Sequence, residues 1–245
     1  MNRDEILTAA SMPAFGPSYP KGPYRFINRE YMIISYESDP DAIRAAVPEP
    51  LVPASNVITY EWMRMPDSSG FGDYTETGTV IPCLLDGQPV SFTVQMYLDD
   101  EAPIAAGREI WGFPKKHAQP KLELVTDTLT GTLYYANERV ALGTMVYKQQ
   151  TLDEATALRA LGKDQVCLKL IPDVDGKPKI AQLVKFAMTD IAFKGAWQGP
   201  ARLHLIPHVN APVADLPVLR TRGGIHLLAD MTLPYGKVVH DYLEI

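Results

Sequence analysis

Turn-forming residues interrupt this chain about every ten positions, which leaves room for many short strands and few helices. Runs rich in β-branched and aromatic residues recur at "YMIISY" (31–36), "VITYEWMRM" (57–65), "PVSFTVQMYL" (89–98), "KLELVT" (121–126) and "TGTLYYANERVALGTMVY" (130–147). They continue at "QVCLKLIP" (165–172), "KIAQLVKFAMTDIAF" (179–193), "RLHLIP" (202–207) and "GIHLLADMTLP" (224–234). Each is bounded by Gly, Pro, Asn or Asp, as strands are. "DVDGKP" (173–178) puts an Asp-Gly hairpin turn between two of them. The 21 prolines and 17 glycines are scattered, so they mark turns rather than a disordered tract.

Three stretches read as short helices. "SDPDAIRAAVPEP" offers Asp39 as N-cap, Pro40 at the first helical position and Pro48 as the stop. "DEAPIAAGREI" has room for about two turns before Gly112 and Pro114. "TLDEATALRALG" offers Thr151 as the capping residue, with Glu154 three positions on and Gly162 at the end. With no repeat or linker, residues 1–245 are expected to form a single domain. Its class is mainly β: an antiparallel, barrel-like fold with a few short helices.

A formal net charge of -6 with no basic run argues against nucleic acid and anionic membrane surfaces as partners. No stretch approaches the roughly 18 apolar residues needed to span a bilayer. The N-terminal "MNRDEILTAASMPAFGPSYPKGPY" lacks an apolar core of signal-peptide length. A soluble, cytoplasmic protein is expected. Cys83 and Cys167 form no CxxC and no metal spacing, so buried thiols are the expectation.

Nucleotide and hydrolase motifs are missing. There is no P-loop, no dinucleotide fingerprint and no GxSxG elbow. His204 and His208 are four apart, but Pro207 lies between them in a strand-like segment, so they are not expected to share a metal. Any chemistry must come from lysine, arginine and carboxylates.

"GREIWGFPKKHAQPKLEL" (107–124) is where that chemistry can be found. Its lysine doublet, Lys115 and Lys116, follows an apolar aromatic run. A lysine that attacks a ketone must be neutral, yet with an ordinary pKa of about 10.4 only about a few amines in ten thousand are neutral at pH 7. The required shift of roughly four units corresponds to about 5–6 kcal/mol. Pro114 favours an extended backbone before it, and successive side chains of an extended chain point to opposite faces. The two ammonium groups would then lie about 12 Å apart, worth about 1.4 kcal/mol at an effective dielectric of about 20. Desolvation can supply about 3–5 units, so burial rather than the neighbouring charge is the main activating effect. Spacing alone leaves open which lysine faces inward.

The block "GREIWGFPKK" resembles the acetoacetate decarboxylase family. So do "PKGPYRFINREY" (20–31), "AVPEPL" (46–51), "YTETG" (74–78) and "MYLDDEAPIA" (96–105). "DTLTGTL" (127–133), "LKLIP" (168–172), "GPARLHL" (199–205) and "HLLAD" (226–230) extend the resemblance over nearly the whole chain; residues 52–56 and 151–164 carry little of it. The resemblance implies that Lys115 forms a Schiff base with a β-keto acid. Activation of that lysine by a cationic neighbour or an apolar pocket is a known property of the family. It also implies that Arg29, Glu61 and Glu76 are the polar groups of the site, and that the chain assembles into a large homo-oligomer.

Several expectations follow. Glu76 is expected to hold Arg29, softening its grip on the substrate carboxylate, because a charge that vanishes as CO2 leaves should not be bound too tightly. Glu61 then places negative charge near that carboxylate or relays the proton. Apolar walls are expected from Ile27 beside Arg29, from Trp111 and Phe113, and from Met96 or Tyr97. Lys116 faces away as a structural neighbour. Neither a metal nor an organic cofactor is required, because the imine nitrogen itself accepts the electrons. The alternatives are a Schiff-base aldolase or dehydratase acting on another keto acid, and a non-catalytic barrel that binds a small ligand.

Overall fold

A computed structural model describes residues 1–244. In chain order the first half contains α1 (Arg3–Thr8), β1 (Tyr24–Glu37), α2 (Pro40–Ala46), β2 (Val52–Pro53), β3 (Val57–Ser68), β4 (Gly72–Leu85) and β5 (Gln88–Leu98). Next come α3 (Glu101–Ala106), a π turn (Gly107–Trp111), β6 (Lys115–His117), β7 (Gln119–Val125), β8 (Thr128–Tyr135), β9 (Glu138–Val146) and β10 (Gln150–Thr151). The remainder is α4 (Glu154–Leu161), β11 (Gln165–Pro172), β12 (Pro178–Phe186), β13 (Thr189–Gly199), β14 (Ala201–Leu205), a 3-10 turn (Val213–Asp215), β15 (Arg220–Leu233) and β16 (Lys237–Asp241).

The mainly β class holds, but the barrel does not close. Twelve strands form one sheet in the open order β10-β13-β15-β1-β3-β4-β5-β11-β12-β16, with β2 beside β4 and β6 beside β5. A second sheet has four strands, β14-β9-β8-β7. Nor is the large sheet wholly antiparallel, since β5 pairs parallel with both β6 and β11. Parallel neighbours need a crossover connection, and α3 with its π turn provides the one that brings β6 alongside β5.

β3 shows how alternation builds two cores. Tyr60 and Trp62 point into a cluster shared with the small sheet, while Met63 and Met65 join a second cluster behind the large sheet. Trp62 donates from its indole N–H to Thr132 O at 3.0 Å. Gly131 and Gly143 let the small sheet approach that ring: a Cβ at these positions would stand 2.4 and 2.5 Å from indole carbons.

Local chemistry fixes the short elements. The Asp39 side chain accepts from Asp41 N and Ala42 N, both at 2.9 Å, with Pro40 opening α2. Gly176, at φ 81, turns the hairpin between β11 and β12. The expected cap of α4 is displaced. Asp153, not Thr151, accepts from Thr156 N at 2.9 Å, because Thr151 is already used in β10, paired with Trp197. Both cysteines are buried and free. Among the described residues, no helix is long and apolar enough to cross a membrane, and no group of three or more His, Cys, Asp or Glu is placed to hold a metal ion.

Candidate active site

Two adjacent rows of side chains cross the large sheet on the face turned away from the small one. In the first, Ile33, Glu61, Gly78, Met96 and Lys115 are register partners from β1 through β3, β4 and β5 to β6. In the second, Tyr31, Met63, Glu76 and Leu98 are partners in the same way. Glycine in the middle of the first row leaves a gap. A Cβ on Gly78 would stand 2.5 Å from Gln95 O and 3.0 Å from Met96 Cγ. Around that gap lies a cavity of about 50 Å³, lined by Arg29, Glu61, Glu76, Met96, Phe113 and Lys115 among others.

Lys115 is 6% exposed, whereas Lys116 is exposed, donates to Asn210 O and lies 5.1 Å from the centroid of Tyr135. Strand alternation therefore separates the doublet. The backbone around Lys115 is held by its own N–H, which donates to Phe113 O at 2.8 Å, and by Arg108, whose Nη1 donates to Lys115 O at 3.1 Å. Gly112, at φ 82, ends the π turn and lets the chain reverse into β6. Trp111 supports this turn from behind: its indole donates to Pro234 O at 3.0 Å, and the ring does not line the cavity.

Glu76 stands between two cations. Its Oε1 lies 3.2 Å from Arg29 Nη2 and its Oε2 lies 3.1 Å from Lys115 Nζ. The contact to Arg29 is also a hydrogen bond, whereas the Lys115 contact is misaligned for one and leaves Oε2 without a hydrogen-bond partner among the described residues. Sequence reasoning expected Glu76 beside Arg29 and missed its contact with Lys115.

Arg29 reaches the cavity through a bulge. Asn28 has φ 56, and the β1–β15 register shifts between Phe26 and Arg29. Phe26 and Arg29 consequently both line the cavity, while Ile27 pairs with Asp67 and does not. The expectation for Ile27 is thus corrected to Phe26. Of the two candidates on β5, Met96 lines the cavity. Tyr97 points to the opposite core, where its hydroxyl donates to Gln95 Oε1 at 2.8 Å.

The Arg29 guanidinium sits 4.7 Å from the Tyr31 centroid and 5.1 Å from that of Phe26. Burial works against its charge, but Tyr31 and Glu76 outweigh burial and hold it above the ordinary arginine value. Its Nε–H has no partner among the described residues. Glu61 accepts from Thr59 Oγ1 at 2.9 Å. Burial raises its proton affinity above that of an ordinary carboxylate, against the opposing pull of Thr59 and Arg29. Tyr74, also in the wall, is raised well above an ordinary phenol by burial and then by Glu76.

The wall contains residues that sequence reasoning did not single out. Met63 and Tyr74 sit two positions from Glu61 and Glu76, so strand alternation alone could have found them. Gln165 and Leu233 arrive from distant strands and Met188 from the connection between β12 and β13, and no local pattern marks them.

Known proteins resemble this chain over nearly its whole length. A family model described as "Acetoacetate decarboxylase (ADC)" matches residues 11–243. The acetoacetate decarboxylase of Acidiphilium cryptum (strain JF-5) is 57% identical over 96% of this chain and 96% of its own. That of Chromobacterium violaceum is 52% identical over 100% of both chains. The crystal structure of acetoacetate decarboxylase from Legionella pneumophila superposes with a TM-score of 0.92 at 50% identity, covering 97% of this chain and 96% of that one. The chain belongs to the acetoacetate decarboxylase family, carboxy-lyases that act on a keto acid.

Proposed function

We propose that the enzyme converts acetoacetate to acetone and CO2 through an imine and an enamine formed on Lys115. One observation carries this reading: a buried lysine and a buried arginine share the single carboxylate of Glu76 inside a largely apolar cavity.

The geometry supports a specific order of proton movements. At rest, Lys115 Nζ lies 3.1 Å from Glu76 Oε2. An arriving substrate carboxylate finds the unpartnered Nε–H of Arg29. It also places a second negative charge beside the Glu76 carboxylate. A proton then passes from Lys115 Nζ to Glu76, and the neutral amine attacks the ketone carbon. Loss of water, with the proton returned by Glu76, leaves a cationic imine.

The imine nitrogen accepts the electron pair of the breaking C–C bond, so CO2 leaves and a neutral enamine remains. Glu61, with its raised proton affinity, protonates the enamine carbon. Hydrolysis releases acetone and the free lysine, and solvent restores the Glu61 proton. Arg29 binds the substrate carboxylate while still engaged with Glu76, so the ground state is not held too tightly.

The reading includes a cytoplasmic protein and, as the family resemblance implies, a large homo-oligomer; sedimentation of the purified protein measures its assembly. Incubation with acetoacetate followed by borohydride, with peptide mapping by mass, tests the chemistry. Label on Lys115 with loss of activity and release of acetone is expected. Label without CO2 release points to an aldolase, and no label overturns the Schiff base.

A further inference from the structure

A second cavity, about 120 Å³ in volume, lies beneath α4 against the outer wall of the Lys115 chamber. Four residues line both spaces: Glu61, Val80, Gln165 and Met188. In the inner chamber, only Glu61, Val80 and Gln165 are half-buried; every other lining residue is buried. All of its partial exposure therefore lies on the wall shared with the second cavity. That cavity has just two exposed lining residues of its own, Ala160 and Lys163. The second cavity thus reaches from the exposed Ala160 and Lys163, under α4, to the wall at Glu61 behind which Lys115 lies.

The charges along this route are ordered. Lys163 at the mouth and Glu61 at the inner end are its only charged lining residues. Leu152, Ala157, Leu161, Ile225 and Leu227 give apolar walls between them. A low-dielectric passage with a cation at its mouth concentrates anions there. Met188 stands at the shared wall on the short connection between β12 and β13, and its unbranched thioether suits a constriction that must yield to a passing molecule.

We propose that the cavity beneath α4 is the passage by which the substrate reaches Lys115, and that Lys163 draws the keto acid's carboxylate to its mouth. The proposal rests on the Lys115 reading for what is carried, and on the lining residues for the path. α4 and Lys163 fall in 151–164, one of the two segments that carry little of the motif resemblance, within the residues 11–243 that the family model matches.

Ala160→Cys places a thiol at the mouth. The native thiols do not compete for a maleimide, since burial pushes Cys83 and Cys167 up to about 12. Alkylation of the folded variant with a bulky maleimide should lower kcat/KM severalfold. It should equally slow capture of Lys115 by acetone and borohydride, whereas a methylthio group at the same thiol should do neither. Unchanged kcat/KM and unchanged capture after complete alkylation overturn the passage. Absence of acetone capture in the unmodified protein overturns the Schiff base instead, and the kcat/KM comparison still decides the path. Lys163→Gln should lower kcat/KM by up to about tenfold at low salt through loss of steering. That deficit should fade near 1 M salt, where the screening length is about 3 Å, with kcat retained throughout. A variant that matches the parent at low salt removes Lys163 from the proposal.

Discussion

Gly107 packs directly on the side chain of Lys115: a Cβ on Gly107 would stand 2.7 Å from Lys115 Cδ and 2.9 Å from Cε. The glycine sits where α3 passes into the π turn, a local widening of the helix that is frequent at functional sites. Gly107→Ala should push the lysine stem aside and break its alignment with Glu76. A misplacement of about 1 Å can reduce turnover about a hundredfold, so kcat is expected to fall by about that factor while thermal stability changes little. Parent-like turnover in the variant contradicts the packing argument.

Gly112 and Gly87 separate backbone conformation from crowding. Both have positive φ, 82 and 76, but a Cβ on Gly112 would stand 2.4 Å from Lys169 Cα, whereas Gly87 has nothing within 4 Å. Gly87→Ala should cost about 1–2 kcal/mol for the left-handed conformation alone. Gly112→Ala adds overpacking and should cost about 2–5 kcal/mol in total. Denaturant midpoints of the two variants give the comparison, and equal losses would mean that Lys169 moves freely.

Arg29→Gln removes one of the two cations on Glu76 and the proposed anchor of the substrate. KM should rise and kcat/KM should fall by about ten- to hundredfold, the range for a lost hydrogen bond to a charged group. Steady-state kinetics decides this, and unchanged KM would leave Arg29 with only a structural part.

Glu61 sets a pH dependence whose sign is fixed. Its folded-state proton affinity is raised, first by burial. The folded protein therefore holds this proton more tightly than the unfolded chain, and the resulting stability is full below the ordinary glutamate range of about 4.3. That stability is lost as pH rises through the folded-state value. Glu61→Gln removes the titration, so the variant should gain stability relative to the parent as pH rises from about 4 toward 8. Urea midpoints across that range provide the measurement, and parallel curves would refute it. The same variant should release CO2 in a first turnover yet form acetone slowly, since enamine protonation is impaired.

Much of this site could be read along single strands. Alternation puts Lys115 and Lys116 on opposite faces without saying which turns in, and it puts Glu61 and Met63 on one face of β3 with Trp62 on the other. Asp39 with Pro40 and the Asp175-Gly176 turn are equally local, and they were legible. What failed depended on breaks in the pattern or on distant strands. The bulge at Asn28 inverts alternation, so Phe26 rather than Ile27 reaches the cavity. β4, a strand of fourteen residues, was not among the strand-like runs, and Gly78 and Pro82 interrupt its pattern. Thr151 resembled a cap until β10 claimed it. The contact of Glu76 with Lys115 needs three strands in register, and no local pattern in the chain encodes their order.

The indole of Trp62 lies beneath Gly131 and Gly143, one residue along β3 from Glu61 on one side and Met63 on the other. The small sheet thereby acts as a vice that sets the height of β3 beneath the reactive chamber. A methyl group at Gly131 touches nothing in that chamber, yet it must lift Trp62 or the small sheet. Either movement tilts the strand that carries Glu61, the proposed proton donor. Turnover in this enzyme is therefore open to inherited variation on the far side of the sheet, at positions no substrate ever meets.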